Sequence, residues 1–213
     1  MAKAKARLDQ LLLEQGLVAS RNVAQALIMR GKVLVDGVCA DKPGEKFPLT
    51  ATIEVKEDSS KYVSRGGYKL EGALQAFSLN VQSAIAIDVG SSTGGFTDCL
   101  LQHGAAKVYA VDVGTNQFNF RLKQDERVVL FEQTHVKEIV KTMFSPLPNF
   151  AVVDLSFISL RKVLQYIVWI LEKPATLVCL VKPQFELEPE LVEKGGVVRS
   201  KQSQDQAIEL VKE

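Results

Sequence analysis

The sequence predicts an α/β protein: an open parallel sheet wound with helices, preceded by a smaller α+β unit. Three observations predict it. Apolar runs that read as buried strands recur at residues 85–89, 107–113, 128–131, 150–157 and 175–181, with helical or polar segments between them, and this alternation implies right-handed crossovers in one parallel sheet. The first of these runs leads into Asp88-Val89-Gly90-Ser91-Ser92-Thr93-Gly94-Gly95-Phe96, where three glycines let the backbone turn tightly and approach a ligand. Ahead of the sheet, two short helical patterns give way to small strands around an Asp36-Gly37 hairpin turn.

At 213 residues the chain is long enough for one large domain, or for a medium domain with a small partner. A net charge of +1 favours no class of partner for the chain as a whole. The distribution is more telling. Residues 1–32 hold Lys3, Lys5, Arg7, Arg21, Arg30 and Lys32 against Asp9 and Glu14. Cys39, Cys99 and Cys179 are far apart, with no Cys-x-x-Cys pair and no histidine cluster, so a reduced cytoplasmic protein with neither disulfides nor a metal is expected. The start has basic residues without the apolar core of a signal peptide, and the apolar stretches at 163–171 and 175–181 fall short of the roughly 20 residues that span a bilayer. No membrane partner is expected, and a monomer is the default.

Within the first unit, Leu8, Leu11 and Leu12 give a short amphipathic helix stopped by Gly16. Ser20 can cap a second, whose apolar face is Ala24, Leu27 and Ile28. Gly31 ends it, and strands follow at 33–35, from Val38, and at 52–55. Arg21 opens the second helix while Arg30 and Lys32 stand at its exit, where cations can converge on one phosphate track. The alternative is a helical cap with a solvated charged face. Arg7-Leu8-Asp9-Gln10-Leu11-Leu12, Ser20-Arg21-Asn22-x-Ala24-x-x-Leu27-Ile28 and Arg30-Gly31-x-Val33-x-Val35-Asp36-Gly37 together resemble the S-four-type RNA-binding domain. The resemblance implies RNA contacts through Arg7, Arg21, Arg30 and Lys32, with Arg65 as a further contact.

Arg65-Gly66-Gly67 reads as a flexible joint, giving a first domain over 1–60, a linker over 61–67 and a second domain over 68–213. Residues 68–77 have helical spacing, with Leu70, Leu74 and Phe77 on one face and Lys69 in the first turn. The strand at 107–113 brings Asp112, followed by Val113, to the distance past a glycine loop where an acidic side chain can accept hydrogen bonds from ribose hydroxyls. A helix is expected over 135–143. The strand at 150–157 carries Asp154 towards its carboxyl end, and the helix at 160–171 carries Trp169 as a packing residue. Lys182 directly follows the fifth strand, and a last helical pattern covers 205–212.

In such sheets ligands bind beyond the carboxyl ends of the strands, where the glycine loop, Asp112, Asp154 and Lys182 all fall. Asp154 and Lys182 end successive strands, so their side chains can meet. An ordinary ion pair is one reading. The other uses a lysine kept near a second cation, Lys69, and partly desolvated, which lowers its pKa so that the neutral amine can take a proton from a hydroxyl.

The loop departs from the dinucleotide fingerprint and resembles the first motif of Rossmann-like methyltransferases that bind S-adenosylmethionine. Ser64-Arg65-Gly66-Gly67-x-Lys69-Leu70, Asp88-Val89-Gly90-x-x-x-Gly94-Gly95-Phe96, Val111-Asp112-Val113-Gly114, residues 154–160 (Asp-Leu-Ser-Phe-Ile-Ser-Leu), Val181-Lys182-Pro183-Gln184-Phe185-Glu186 and Lys194-Gly195-Gly196-Val197-Val198-Arg199 closely resemble the TlyA family, also labelled haemolysin A. The resemblance implies an S-four-type domain joined to an FtsJ-like, Rossmann-like methyltransferase domain that methylates the 2′-oxygen of ribose, of cytidine, in ribosomal RNA or ribosomal subunits. S-adenosyl-L-methionine would be the donor, held by Asp88, Gly90, Ser91, Ser92, Thr93, Gly94, Gly95, Phe96, Asp112 and Val113. Of the family's Lys-Asp-Lys-Glu tetrad, Lys69, Asp154 and Lys182 are implied as catalytic, while Glu186 is set aside because the family's glutamate follows a later strand. Two further strands are expected beyond Glu213, so the sheet is expected to be incomplete at that end. His135 stands where relatives more often carry asparagine. A non-catalytic RNA-binding protein and a literal haemolysin are the alternatives.

Overall fold

The computed structural model describes residues 5–18, 20–56 and 60–212, so Lys3 lies outside the described residues. The chain divides into two compact units, Met1–Ser60 and Lys61–Glu213. The first runs β1 (Lys5–Arg7), α1 (Leu8–Glu14), α2 (Arg21–Met29), β2 (Val33–Val35), β3 (Val38–Ala40), β4 (Lys46–Pro48) and β5 (Ile53–Val55). β1 pairs antiparallel with β4, and β2 lies between β3 and β5 in a second antiparallel sheet. Ser20 starts α2, its Oγ accepting from the Val23 amide at 3.3 Å. Asp36 (φ 48°) and Gly37 (φ 80°) both take the left-handed angles that a two-residue hairpin turn requires. Leu8, Leu11, Leu12, Ala24, Ile28 and Val33 form the core.

The second unit runs α3 (Gly66–Ala76), β6 (Ile85–Val89), α4 (Gly95–Gln102), β7 (Lys107–Val111), α5 (Phe120–Lys123), β8 (Val128–Phe131), β9 (Phe150–Val153), α6 (Leu164–Ile170), β10 (Thr176–Cys179), α7 (Pro183–Glu186) and α8 (Lys201–Lys212). Its strands lie in the order β10-β9-β6-β7-β8, all parallel. Strand order reverses between β6 and β9, which opens a crevice beyond their carboxyl ends. Alternate residues of β6 serve two cores, as a strand covered on both faces must. Ala86 packs among Leu70 and Leu74 of α3 and Leu100 of α4, whereas Ile87 and Val89 pack with Ile167 and Ile170 of α6. Each large aliphatic side chain so buried contributes about 1.5–3 kcal/mol. Among the described residues no helix is long and apolar enough to cross a membrane.

Several expectations are corrected. Arg65-Gly66-Gly67 is not a flexible joint: Gly66 and Gly67 open α3, and a Cβ on Gly67 would lie 2.2 Å from Cγ of the buried Tyr62 ring. The glycines serve close packing. Phe77 is 70% exposed, because α3 ends at Ala76 and turns the next residue off the Leu70–Leu74 face. Residues 135–143 form two 3₁₀ turns, Val136–Glu138 and Lys141–Met143, in place of one helix. Trp169 is 56% exposed, since α6 commits Ile167 and Ile170 to the core, and the Lys141 ammonium lies 5.6 Å above its ring.

Candidate active site

The crevice is built by the loop after β6. Gly90 (φ +87°) follows the strand, and Gly94 (φ +93°) precedes the first turn of α4. Both angles favour glycine. A Cβ on Gly90 would also come within 2.6 Å of the Asp154 carbonyl oxygen, so the loop can lie against the end of β9 only without a side chain there. Asp112, just beyond β7, steadies the loop from the other side: its Oδ2 accepts from the Ser92 amide and its Oδ1 from the Gly114 amide, both at 2.7 Å.

Two cavities meet at this loop. One, of about 670 Å³, is lined by Ser64, Arg65, Lys69, Ser91 and Phe96. The other, of about 570 Å³, is lined by Asp112, Val113, Gln117, His135 and Phe157. Gly90, Ser92 and Asp154 line both. The structure thus gathers Asp112, Val113, the loop glycines and Asp154 as the sequence pattern suggests, with Thr93 half-buried and Phe96 turned largely into the core. His135 lines the second cavity while its Nδ1 accepts from the Lys137 amide at 3.1 Å.

Asp154 joins three elements. Lys69 Nζ of α3 stands 3.5 Å from its Oδ2, and Lys182 Nζ, at the start of α7, 2.5 Å from its Oδ1. Lys182 also donates to Ser156 Oγ at 2.8 Å. Side-chain exposure falls from 51% for Lys69 to 20% for Lys182 and 19% for Asp154, so this cluster is only partly shielded. The sequence pattern gives Ser156 no role of its own. Its place two residues after Asp154, beyond a strand end, is the signal that could have found it.

Beneath the loop, Asp88 is fully enclosed. Thr97 Oγ1 donates to its Oδ2 at 2.7 Å, while its Oδ1 and Oγ of Ser91 are buried with no hydrogen-bond partner among the described residues. Burial pushes the Asp88 carboxyl up to about 7, opposed by Thr97 and assisted by Asp154 and Asp112. Two orphaned polar atoms below a cradle that admits no side chain suit a polar ligand. Among the described residues no three His, Cys, Asp or Glu side chains gather as a metal would require.

In the first unit, Arg7 and Arg21 both bind the buried Asp9, whereas Arg30 is exposed at the end of α2 and Lys32 is partly exposed.

The arrangement matches known proteins over nearly all of its length. The FtsJ-like methyltransferase profile covers residues 62–213 and the S4 domain profile residues 6–53. The chain belongs to the FtsJ-like methyltransferase family. Among relatives of this FtsJ-like protein, YqxC of Bacillus subtilis (strain 168), assigned by name to the rRNA methyltransferases, is 48% identical over 93% of this chain and 71% of its own. The 16S/23S rRNA (cytidine-2′-O)-methyltransferase TlyA of Mycobacterium tuberculosis is 42% identical over 96% of this chain and 76% of its own. A solved structure described as a hemolysin from Streptococcus thermophilus superposes with a TM-score of 0.71 at 45% identity, covering 99% of this chain and 77% of that one.

Proposed function

We propose that this methyltransferase transfers a methyl group from S-adenosyl-L-methionine to the 2′-hydroxyl of a cytidine ribose in ribosomal RNA, in the cytoplasm. The observation that carries the reading is the place of Asp154: its side chain holds two lysines from two other elements at the loop where both cavities meet. The names of the TlyA and YqxC relatives support ribosomal RNA as acceptor, and that of TlyA supports cytidine.

Asp88, Gly90, Ser91, Ser92, Thr93, Gly94, Gly95, Phe96, Asp112 and Val113 would hold the donor where the two cavities meet: Gly90, Ser92, Asp112 and Val113 line the second, and Ser91, Thr93, Gly95 and Phe96 the first. When bound, S-adenosyl-L-methionine supplies a methyl group already activated by its sulfonium. The first cavity, with Arg65 at its wall, would admit the acceptor ribose. Lys182, in its uncharged form, takes the hydroxyl proton on Nζ and so makes the 2′-oxygen a nucleophile. Asp154 orients Nζ, and Lys69 offsets the negative charge that develops on the oxygen. In the first unit Arg30 and Lys32 lead the RNA contacts, with Arg7 and Arg21 set in place by Asp9.

The test is incorporation of label from radiolabelled donor into ribosomal subunits. Lys182→Ala should lower the rate by about 10²- to 10⁴-fold, while calorimetry shows unchanged donor binding. RNA that takes up no label, or uptake indifferent to Lys182→Ala, overturns the catalytic reading and favours a non-catalytic RNA-binding protein.

A further inference from the structure

Glu186 has no place in the chemistry above, yet both of its carboxylate oxygens are engaged. Oε2 accepts from Ser159 Oγ at 2.6 Å, and Oε1 accepts from the Leu160 amide at 2.8 Å. Leu160 begins the 3₁₀ turn Leu160–Lys162, whose first amide has no partner inside the turn, so Glu186 acts as an external cap for it. The carboxylate sits at the end of α7, four residues after Lys182, and its partners lie five and six residues after Asp154.

Two further contacts run between the same segments. Near the strands, Lys182 reaches Asp154 and Ser156. Midway, the Phe185 ring lies 5.3 Å from that of Phe157, a residue that is 91% exposed and held at φ +64°, an unusual angle for a bulky side chain. A loop in that conformation needs its neighbours to hold it there. Of the three rungs, the outermost is the Glu186 pair of hydrogen bonds. It closes the ladder, because α7 is a single turn whose cap, Lys182, has no side-chain hydrogen bond to its own helix.

We infer that Glu186 is a positioning residue for methyl transfer: by tying the segment after Asp154 to the turn after Lys182, it keeps Lys182 Nζ against Asp154. The inference rests on the proposed role of Lys182. With both oxygens committed to protein donors, Glu186 itself moves no proton. A displacement of about 1 Å in a catalytic group can lower a rate about 100-fold, and that is the effect expected here.

The experiment compares Glu186→Ala, Glu186→Gln and Ser159→Ala in the full chain, each alone and in a Lys182→Ala background. Glu186→Ala should lower kcat by about 100-fold with donor affinity unchanged. Glu186→Gln keeps an acceptor for the Leu160 amide and should recover most of that loss, and Ser159→Ala should lie between. In the Lys182→Ala background, Glu186→Ala should cost nothing further. The 13Cε resonance of Lys182, assigned through Lys182→Arg, gives a readout that needs no turnover: it should move towards the solvent-exposed lysine position in Glu186→Ala and return in Glu186→Gln. If Glu186→Ala changes neither kcat nor this resonance while Lys182→Ala abolishes transfer, the inference fails and the proposed function stands. Independent, multiplicative losses from Lys182→Ala and Glu186→Ala also overturn it. If Lys182→Ala leaves transfer intact, both readings fall together.

Discussion

Two aspartates, one in each unit, are each gripped by two cations, and their surroundings differ in three respects. Asp9 is fully buried: Arg7 Nε and Nη2 donate to its two oxygens at 3.0 and 2.9 Å, and Arg21 Nε and Gln25 Nε2 both reach Oδ2 at 2.9 Å. Asp154 keeps 19% of its side chain exposed, is held by lysines, and borders two cavities. Arginine is permanently charged and presents a planar fork that suits a carboxylate, so the Asp9 cluster can fix α1 to α2 but cannot pass a proton. Lysine is a point charge that can lose its proton, and the open side of Asp154 leaves room for a substrate. Ion pairing alone therefore does not separate a brace from a reactive site. The identity of the cation and the space beside the pair do.

The largest effect that would break this distinction is a crossover of phenotypes. Asp154→Ala should lower methyl transfer at least about 100-fold, because it frees Lys182 from the position where it meets the acceptor. The thermal midpoint of the second unit should hold within about 2 °C, since partly exposed ion pairs contribute little to stability. Asp9→Ala should leave the affinity for S-adenosyl-L-methionine unchanged by calorimetry. Loss of fold in Asp154→Ala, or loss of donor binding in Asp9→Ala, would erase the contrast.

A third aspartate sharpens it. Among the described residues Asp88 has no cation partner, and burial raises its carboxyl to about 7. In the unfolded chain it ionises near pH 4, so between about pH 4 and pH 7 the folded protein retains a proton that the unfolded chain has released. Stability therefore falls as pH rises through that window, with a ceiling of about 4 kcal/mol. Asp88→Asn cannot ionise, and its amide oxygen can still accept from Thr97. Its urea midpoint should match wild type near pH 4 and exceed it at pH 8; parallel curves at both pH values would show that Asp88 stays charged in the fold.

Much of this was legible in the sequence because it depends on local chemistry. The glycines at 90 and 94 announce positive φ, Ser20 announces a cap, and the run from Ala84 to Val89 announces a strand covered on both faces. Asp154 and Lys182 could be paired because successive β-α-β strands often lie side by side, as β9 and β10 do. What escaped depended on partners distant in sequence. Gly66 and Gly67 resemble a hinge until the Tyr62 ring and the start of α4 are seen packed against them. Trp169 resembles a core residue until Ile167 and Ile170 take the inward face of α6. That Arg21 and Gln25 close over Asp9 beside Arg7 also escapes a local reading, since they lie 12 and 16 residues from it. In the sequence Glu186 suggests only a fourth catalytic group, because the bonds that engage it come from Ser159 and Leu160, on the loop after the neighbouring strand.

The smallest expected effect concerns the brace. Asp9→Asn keeps the shape but offers one acceptor oxygen and turns an amide against the guanidinium groups, which should cost the first unit about 1–2 kcal/mol at pH 7. The Arg7 hydrogen bonds, helped by Gln25 and Arg21 against the opposing effect of burial, hold the Asp9 carboxyl well below the usual carboxylate range. A depressed value in the fold means that the stabilisation is complete above the ordinary carboxylate range and is lost as pH falls from about 4 towards the folded value. The difference between wild type and Asp9→Asn, read from urea melts that follow the Ile28 methyl resonance, should therefore shrink between pH 4 and pH 2.5. A gap that kept its size at pH 2.5 would mean that shape alone holds α1 and α2 together. The charge on Asp9 would then contribute nothing, and the line drawn between it and Asp154 would have to rest on solvent access rather than on the choice of arginine over lysine.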